Sequence, residues 1–295
     1  MQNQPYVTVG MPVFNGEEFI AEAIDSILSQ TYTNFELVIS DNASTDNTEA
    51  ICRQYAANDD RVHYSRSDKN RGASWNYNQV VALAKGVYFR WAAADDACQP
   101  TLIEKSVKAL DENPEVVLAF SWVVDIDAEG NEITTKQSSV QAHLPTPHER
   151  FRGLSDVRPA KNCEEIFGLI RLDLLRKTNL IDNYTDSDRT LLAELGLYGA
   201  FYEIPEPLFI HRIHPAASVE ANPGRQNRTA WFDPSAAGRI VFPNWRQLKE
   251  LLLIIWHSPI SWTERFYCYG YMLIWLKRRR KRLGHDLVWA VKQVV

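Results

Sequence analysis

Two adjacent carboxylates, Asp95-Asp96, close the apolar run Val87 to Ala94 and precede Ala97-Cys98-Gln99-Pro100. A strand that stops on paired carboxylates sets hard oxygen ligands at the C-terminal edge of a sheet, where open α/β sheets bind ligands. The pair suits a divalent cation carrying a phosphate, because Mg²⁺-like ions take one or two protein carboxylates plus substrate oxygens. The same two residues also read as caps for a helix starting near Pro100.

Other polar segments weigh on the choice. The first apolar run ends in Met11-Pro12-Val13-Phe14-Asn15-Gly16-Glu17, and the second in Ser40-Asp41-Asn42-Ala43-Ser44-Thr45-Asp46. A third leads into Lys69-Asn70-Arg71-Gly72-Ala73-Ser74-Trp75-Asn76. Further on, Tyr184-Thr185-Asp186-Ser187-Asp188-Arg189 precedes an amphipathic stretch, and Phe209 to Pro215 alternates as an edge strand, with Arg212 and His214 projecting to one side. No Gly-x-Gly-x-x-Gly or Gly-x-x-x-x-Gly-Lys-(Ser/Thr) follows any apolar run, which argues against dinucleotide oxidoreductases and P-loop enzymes. Without a glycine-rich cradle, a metal and basic side chains must offset the charge of a diphosphate.

The elements that must position these residues alternate. Strand patterns at Tyr6–Met11, Phe35–Ser40, Val62–Ser65, Val87–Ala92 and Val116–Val124 are separated by helical patterns at Glu17–Leu28, Asp46–Tyr55, Ser74–Lys85 and Thr101–Asn113. This rhythm predicts an α/β domain with a mostly parallel, Rossmann-like sheet and helices on both faces. Parallel strands in sequence gather the polar segments on one edge. Beyond Asp125 the rhythm breaks: Ala128 to Asn131 reads as a hairpin turn, and the polar, proline-bearing stretch Gln137–Pro159 as a mobile loop over the site. Asn162–Leu180 returns to strand and helix, Asp188–Leu197 reads as a helix, and Tyr202–Phe209 as an extended segment interrupted by Pro205 and Pro207.

Composition fits a well-packed chain of 295 residues, 45% of them hydrophobic, and argues against disorder. Cys52, Cys98, Cys163 and Cys268 form no metal-binding pattern and read as reduced and buried, which points to the cytoplasm. No secretory leader is expected, and no apolar run reaches the roughly 18 to 20 residues of a membrane span. The net charge of −5 hides an asymmetry: Arg246 to Val295 holds ten basic residues against three acidic ones. An acidic body with a basic tail does not fit a general nucleic-acid binder. Taken from Trp245, the tail carries five of the nine tryptophans, the apolar blocks Leu251–Trp256 and Phe266–Leu276, and the run Lys277 to Arg282. It reads as two short amphipathic helices anchoring the chain peripherally on the inner face of an anionic membrane, each basic residue contributing about 1 kcal/mol. A helical cap docked on the domain, or a homo-oligomer contact, is the alternative.

In the order and spacing of these motifs, from residue 6 to about 215, the chain resembles the family 2 inverting glycosyltransferases. Their signature joins Pro-x-(Tyr/Phe)-Asn, an Asp-(Asn/Asp)-x-Ser-x-Asp turn, an Asn-x-Gly segment and an Asp-x-Asp-type motif. The resemblance implies the GT-A fold, with a nucleotide-sugar subdomain over 1–125, an acceptor and catalytic-base subdomain over 126–218, and a C-terminal helical extension over 219–295. It implies a nucleotide-sugar donor, UDP-linked, a glycan or lipid-linked acceptor, and Mn²⁺ or Mg²⁺.

Carried onto this sequence, the resemblance assigns roles. Pro12 and Phe14 flank the base, with Asn15, Asn42 and Asn76 also on the nucleotide, and Asp41 accepts a hydrogen bond from the base. Arg71 lies near the diphosphate or base, Asp95 binds the metal, and Asp96 meets the donor sugar. Arg212 neutralises phosphate, and His214 binds phosphate or the metal. Asp188 takes the acceptor's proton, with Asp186 in reserve; a helix N-cap is the plainer role for Asp188. Ala93 stands where the family often has a first aspartate that contacts ribose, and Ser187 where it has a glutamate. A sugar nucleotidyltransferase and a non-catalytic membrane-associated scaffold of the same fold are the competing readings.

Overall fold

In the computed structural model, which describes residues 5–155, 163–217 and 221–294, strands and helices alternate from the start. The first half runs β1 (Val7–Val13), α1 (Ile20–Leu28), β2 (Phe35–Asp41), α2 (Thr48–Asn58), β3 (Val62–Arg66), α3 (Ala73–Leu83) and β4 (Tyr88–Trp91). Next come β5 (Ala97–Cys98), α4 (Leu102–Glu112), β6 (Val116–Ile126), β7 (Glu132–Lys136), α5 (Pro147–Ser155), β8 (Leu169–Arg171) and α6 (Leu172–Leu175). The last elements are α7 (Ser187–Tyr198), β9 (Ala200–Arg212), α8 (Arg225–Phe232), α9 (Pro243–His257) and α10 (Trp262–Val294).

Side-chain alternation sorts the strands between two cores, because successive residues point to opposite sheet faces. Val7, Val9, Met11 and Val13 pack with Leu37, Ile39 and Tyr88 beneath Ile20, Ile24, Ile103 and Leu110. Val38, Phe89 and Trp91 face the other way, against Val80, Val81 and the later helices. Gly10 on that face admits no side chain, since an added Cβ would lie 2.7 Å from the Phe89 ring.

The sheet order is β3-β2-β1-β4-β8-β6-β9-β5, with β7 hairpinned onto β6. β3, β2, β1 and β4 are parallel, as is the β6–β9 pair. β8 inserts antiparallel between β4 and β6, and β5 runs antiparallel to β9. The α/β architecture and its long parallel pairings agree with the sequence, to which β5, β7 and β8 add short antiparallel ones. Parallel neighbours need a long crossover, and only the first part of the chain supplies one helix after another between strands. β6 crosses the expected boundary at 125, and β9 is one 13-residue strand despite two prolines. Register shifts around Ser121, Trp122 and Val123 absorb the missing N–H groups of Pro205 and Pro207.

Two stretches differ from the sequence reading. The expected loop 137–159 contains α5, whose Phe151 and Leu154 are buried; its part from 156 to 159 lies outside the described residues. Polar composition hid this helix, because Arg150 is itself buried, donating to the carbonyls of Gly196, Leu144 and Pro145. The tail is one 15-residue helix and one 33-residue helix, not two short ones. Their inner faces, with Leu251, Ile254, Ile255, Tyr271, Met272 and Trp275, complete the second core. Among the described residues no helix is long and apolar enough to cross a membrane.

Candidate active site

The tips of β1 and β2 form one clasp. Asn15 adopts a left-handed φ of 54°, a conformation Asn tolerates better than most residues. Its N–H donates to Ser44 Oγ at 2.9 Å, and its Oδ1 accepts from the Thr45 N–H at 2.8 Å. The Gly16 N–H reaches Thr48 Oγ1 at 2.8 Å, the Glu17 N–H donates to Asp46 Oδ2, and the Glu17 carboxylate accepts from the Asn47 N–H across the same gap. Two motifs far apart in sequence thus hold each other's backbone. Phe14 is left standing on the surface, 45% exposed.

A cavity of about 820 Å³ opens beside this clasp, walled by Pro12, Phe14, Asn15, Asn42, Asn76 and Tyr77, and closed by Asp95, Asp96, Arg212 and His214. Asn42 braces the wall: its Oδ1 accepts from the Arg71 N–H at 2.9 Å, and its Nδ2 donates to Asn70 Oδ1 at 3.0 Å. Asn76 is buried and donates to the Val13 carbonyl at 3.2 Å, while its Oδ1 has no partner among the described residues.

Asp41 does not line the cavity. It is fully buried, with Oδ1 accepting from the Ser44 N–H at 2.8 Å and Oδ2 from the Tyr64 hydroxyl at 2.7 Å. Arg66 Nε lies 3.4 Å from Oδ2 as well, so both carboxylate oxygens already have partners in the turn after β2 and on β3. Arg71 also stays outside, paired to Asp68 at 2.7 Å and lying over the Trp75 ring. Gly72 beside it, at φ +89°, packs its Cα against the Phe232 carbonyl and ties α3 to α8.

Asp95 and His214 meet at the cavity wall, Oδ2 to Nε2 at 3.0 Å, with the imidazole edge-on to Phe19. One carboxylate oxygen and one imidazole nitrogen opening on a cavity fit a divalent cation whose remaining positions go to phosphate oxygens. Asp96 is turned inward, accepting from the Arg212 N–H at 2.9 Å; burial and then the neighbouring Asp95 push its carboxyl up. The Arg212 guanidinium is buried and committed to protein partners: Glu22 at 2.6 Å, the Asp95 carbonyl at 3.1 Å and the Ala128 carbonyl at 3.1 Å. It clamps the Asp95 turn while lining the same cavity. β9 also stops at Arg212, so His214 lies beyond the strand rather than on its alternating face.

Asp188 is the second residue of α7, after Asp186 in the left-handed region at φ 70°. Burial first, then the Asp186 charge, raise its carboxyl above the usual range. It is not among the residues walling the cavity, but it stands behind Tyr77, which is. Burial and then the charges of Asp95, Asp96 and Asp188 together push the Tyr77 phenol up. Of the expected acidic residues, Asp95 and Asp96 line the cavity and Asp41 does not.

The sequence reading missed Tyr77, Phe19, Trp231 and His211 on the cavity wall. His211 is held by Asp125 at 3.1 Å and adjoins Glu164, an arrangement in which all three could hold a metal. Lys136 already pairs with both carboxylates, however, and offsets part of their charge. No spacing signal links these residues, since β7 and β9 bring them together only through β6.

A family model described as glycosyl transferase family 2 matches residues 8–178, more than half of the chain. The chain belongs to glycosyl transferase family 2. This makes it a transferase by family, and its fold is of the GT-A type, as the resemblance implied. The putative glycosyltransferase EpsE of Bacillus subtilis is 39% identical over 154 residues, 52% of this chain and 54% of that protein. The chain spans about half the length of the curated relatives it matches. Among solved structures, Staphylococcus aureus TarS 1-349 in complex with UDP-GlcNAc has a TM-score of 0.68 at 14% identity, covering 98% of this chain and 81% of that one. The mannosyltransferase PcManGT of Pyrobaculum calidifontis, in complex with GDP-Man and Mn²⁺, has a TM-score of 0.52 at 16% identity, covering 99% and 87%. At these identities the two structures speak to the fold of this family 2 transferase.

Proposed function

We propose that this family 2 transferase moves one sugar from a nucleotide donor, UDP-linked, to a hydroxyl of a glycan or lipid-linked acceptor, with inversion, as in cell-surface polysaccharide synthesis. The observation that carries the reading is the Asp95–His214 pair opening on the same cavity as Pro12, Phe14 and Asn42. TarS with UDP-GlcNAc and PcManGT with GDP-Man and Mn²⁺ support a nucleotide-sugar donor and a divalent cation.

In this reading Pro12 and Phe14 flank the base, and Asn42 and Asn76 meet the nucleotide. Asp41 acts as a positioning residue, fixing the turn that presents Asn42. Asp95 and His214 hold Mn²⁺ or Mg²⁺, which when bound screens the charge of the diphosphate. Arg212 holds the Asp95 turn in place. The acceptor hydroxyl attacks the anomeric carbon from the face opposite the diphosphate, Asp188 takes its proton, and the carbon–oxygen bond to the diphosphate breaks. Proton removal by a positioned carboxylate contributes typically about 10²–10⁴ in rate. The raised Asp188 carboxyl favours this role, because a base nearer neutrality holds the proton better.

The outer faces of α9 and α10 support peripheral attachment to an anionic membrane at the inner face of the cell. Trp256, Trp262, Phe266 and Leu273 all stand exposed there, close to the basic run 277–282. The reaction is tested by incubating the protein with Mn²⁺ and a panel of nucleotide sugars. Release of nucleoside diphosphate, lost in Asp188→Asn, is the expected result; release of pyrophosphate instead means a nucleotidyltransferase.

A further inference from the structure

A second cavity, of about 430 Å³, lies across α8 from the first. Arg189, Arg225, Arg228, Arg279 and Arg282 line it, against the single lining carboxylate of Asp186. These arginines come from α7, α8 and α10, so folding rather than local sequence assembles the cluster. From the basic run of the tail only Arg279 and Arg282, one helical turn apart, face inward.

Two observations point to an anionic occupant. The guanidiniums of Arg228 and Arg282 have no hydrogen-bond or ion-pair partner among the described residues, whereas Arg225 is tied to the buried Asp286 at 2.6 Å. Burial first, then Arg282, and further Arg189, pull the Arg279 guanidinium below its usual range, with Asp186 opposing. Like charges crowded into a half-desolvated site repel, and a polyanion relieves that repulsion. Guanidiniums also match phosphate oxygens in bidentate geometry.

The cavity's location ties it to the reaction. Asp186 lies on its wall, two residues before Asp188. α8 separates the two cavities: Asn227, Ala230 and Trp231 face the first, and Arg225 and Arg228 the second. We infer that the arginine-lined cavity binds a phosphate group of the acceptor, placing the acceptor's hydroxyl beside Asp188 while the donor occupies the first cavity. This rests on the transfer reading above and specifies its acceptor as a phosphate ester or diphosphate.

The test titrates the full chain with inorganic pyrophosphate and with a short polyprenyl diphosphate in detergent, in EDTA so that no cation recruits either to the donor cavity. Saturable binding, weakened about tenfold or more in Arg228→Gln/Arg282→Gln and largely retained in Arg228→Lys/Arg282→Lys, is expected. Lys277→Gln/Lys281→Gln, which removes two charges of the same run outside the cavity, should change binding less than twofold. Binding of pyrophosphate identifies the phosphate itself as the ligand, and binding of the polyprenyl compound alone identifies a lipid-linked one. Binding of neither, or equal weakening by both glutamine pairs, overturns the inference. UDP titrations with Mn²⁺ on the same proteins report separately on the donor cavity, so failure of the donor reading shows as lost UDP binding in the wild type.

Discussion

His214 Nε2 and Asp95 Oδ2 lie 3.0 Å apart, and the Arg212 guanidinium donates to the Asp95 carbonyl at 3.1 Å, so three residues of the cavity wall form one hydrogen-bonded unit. The pairing couples the end of β9 to the turn after β4, two segments 119 residues apart. Each substitution in this unit therefore has a defined reading.

Asp95→Ala should erase the difference between UDP binding in Mn²⁺ and in EDTA. His214→Gln should reduce that difference, losing a contact of about 1.5–3 kcal/mol. Calorimetry in the two buffers measures both. Wild-type cation dependence in Asp95→Ala would sink the assignment.

Asp188→Asn should lower transfer by about 10²–10⁴ while leaving UDP affinity within threefold. It should also stabilise the fold at neutral pH. A carboxyl whose folded pKa is raised is destabilising when ionised, and that penalty disappears as pH falls through the folded value and below the ordinary 3.8. The melting temperature of the variant should therefore exceed that of the wild type at pH 7 and match it near pH 3. Activity of the wild type should fall on the acid side as the same group protonates. A melting difference independent of pH would remove the burial argument.

Asp41→Asn and Tyr64→Phe should act alike. Each leaves a buried donor or acceptor of the Asp41 turn poorly paired, at about 1–3 kcal/mol per group, and each should weaken UDP binding less than tenfold through Asn42. Urea unfolding and UDP titration check the pair. If Asp41→Asn loses UDP binding more than a hundredfold at unchanged stability, the carboxylate reads the base directly.

Trp275→Ala, in the core beneath α10, should cost about 3–5 kcal/mol of stability. Trp262→Gln with Phe266→Gln, both on exposed positions, should leave the melting temperature unchanged but reduce co-sedimentation with anionic vesicles. A wild-type protein that stays in the supernatant at low salt ends the membrane reading.

Much of this was legible in the sequence because the relevant information is local. Val7 to Val13 alternates, α1 carries its apolar stripe, and the loops after β1, β2 and β4 sit where parallel crossover units place them. Asp95 and His214, both picked out in the sequence, also meet at one cavity wall. Partners fixed only by tertiary structure were not legible. Nothing near Asp41 announces that Tyr64 occupies its second oxygen, and nothing near Arg212 announces Glu22. The α5 helix was hidden for a related reason: Arg150 makes its sequence look solvent-facing, yet the backbone carbonyls that hold the guanidinium come from neighbouring segments. The basic run 277–282 was read as one electrostatic unit, although helical geometry divides it between two surroundings.

β6 is hydrogen-bonded to β8 on one side and β9 on the other, and β8 in turn to β4, so a single ladder of strands spans from the β1 tip to the His214 end. Swinging one half of the molecule against the other would tear that ladder. The distance between the Phe14 tip and the Asp95–His214 wall is therefore set by backbone hydrogen bonding across the whole sheet.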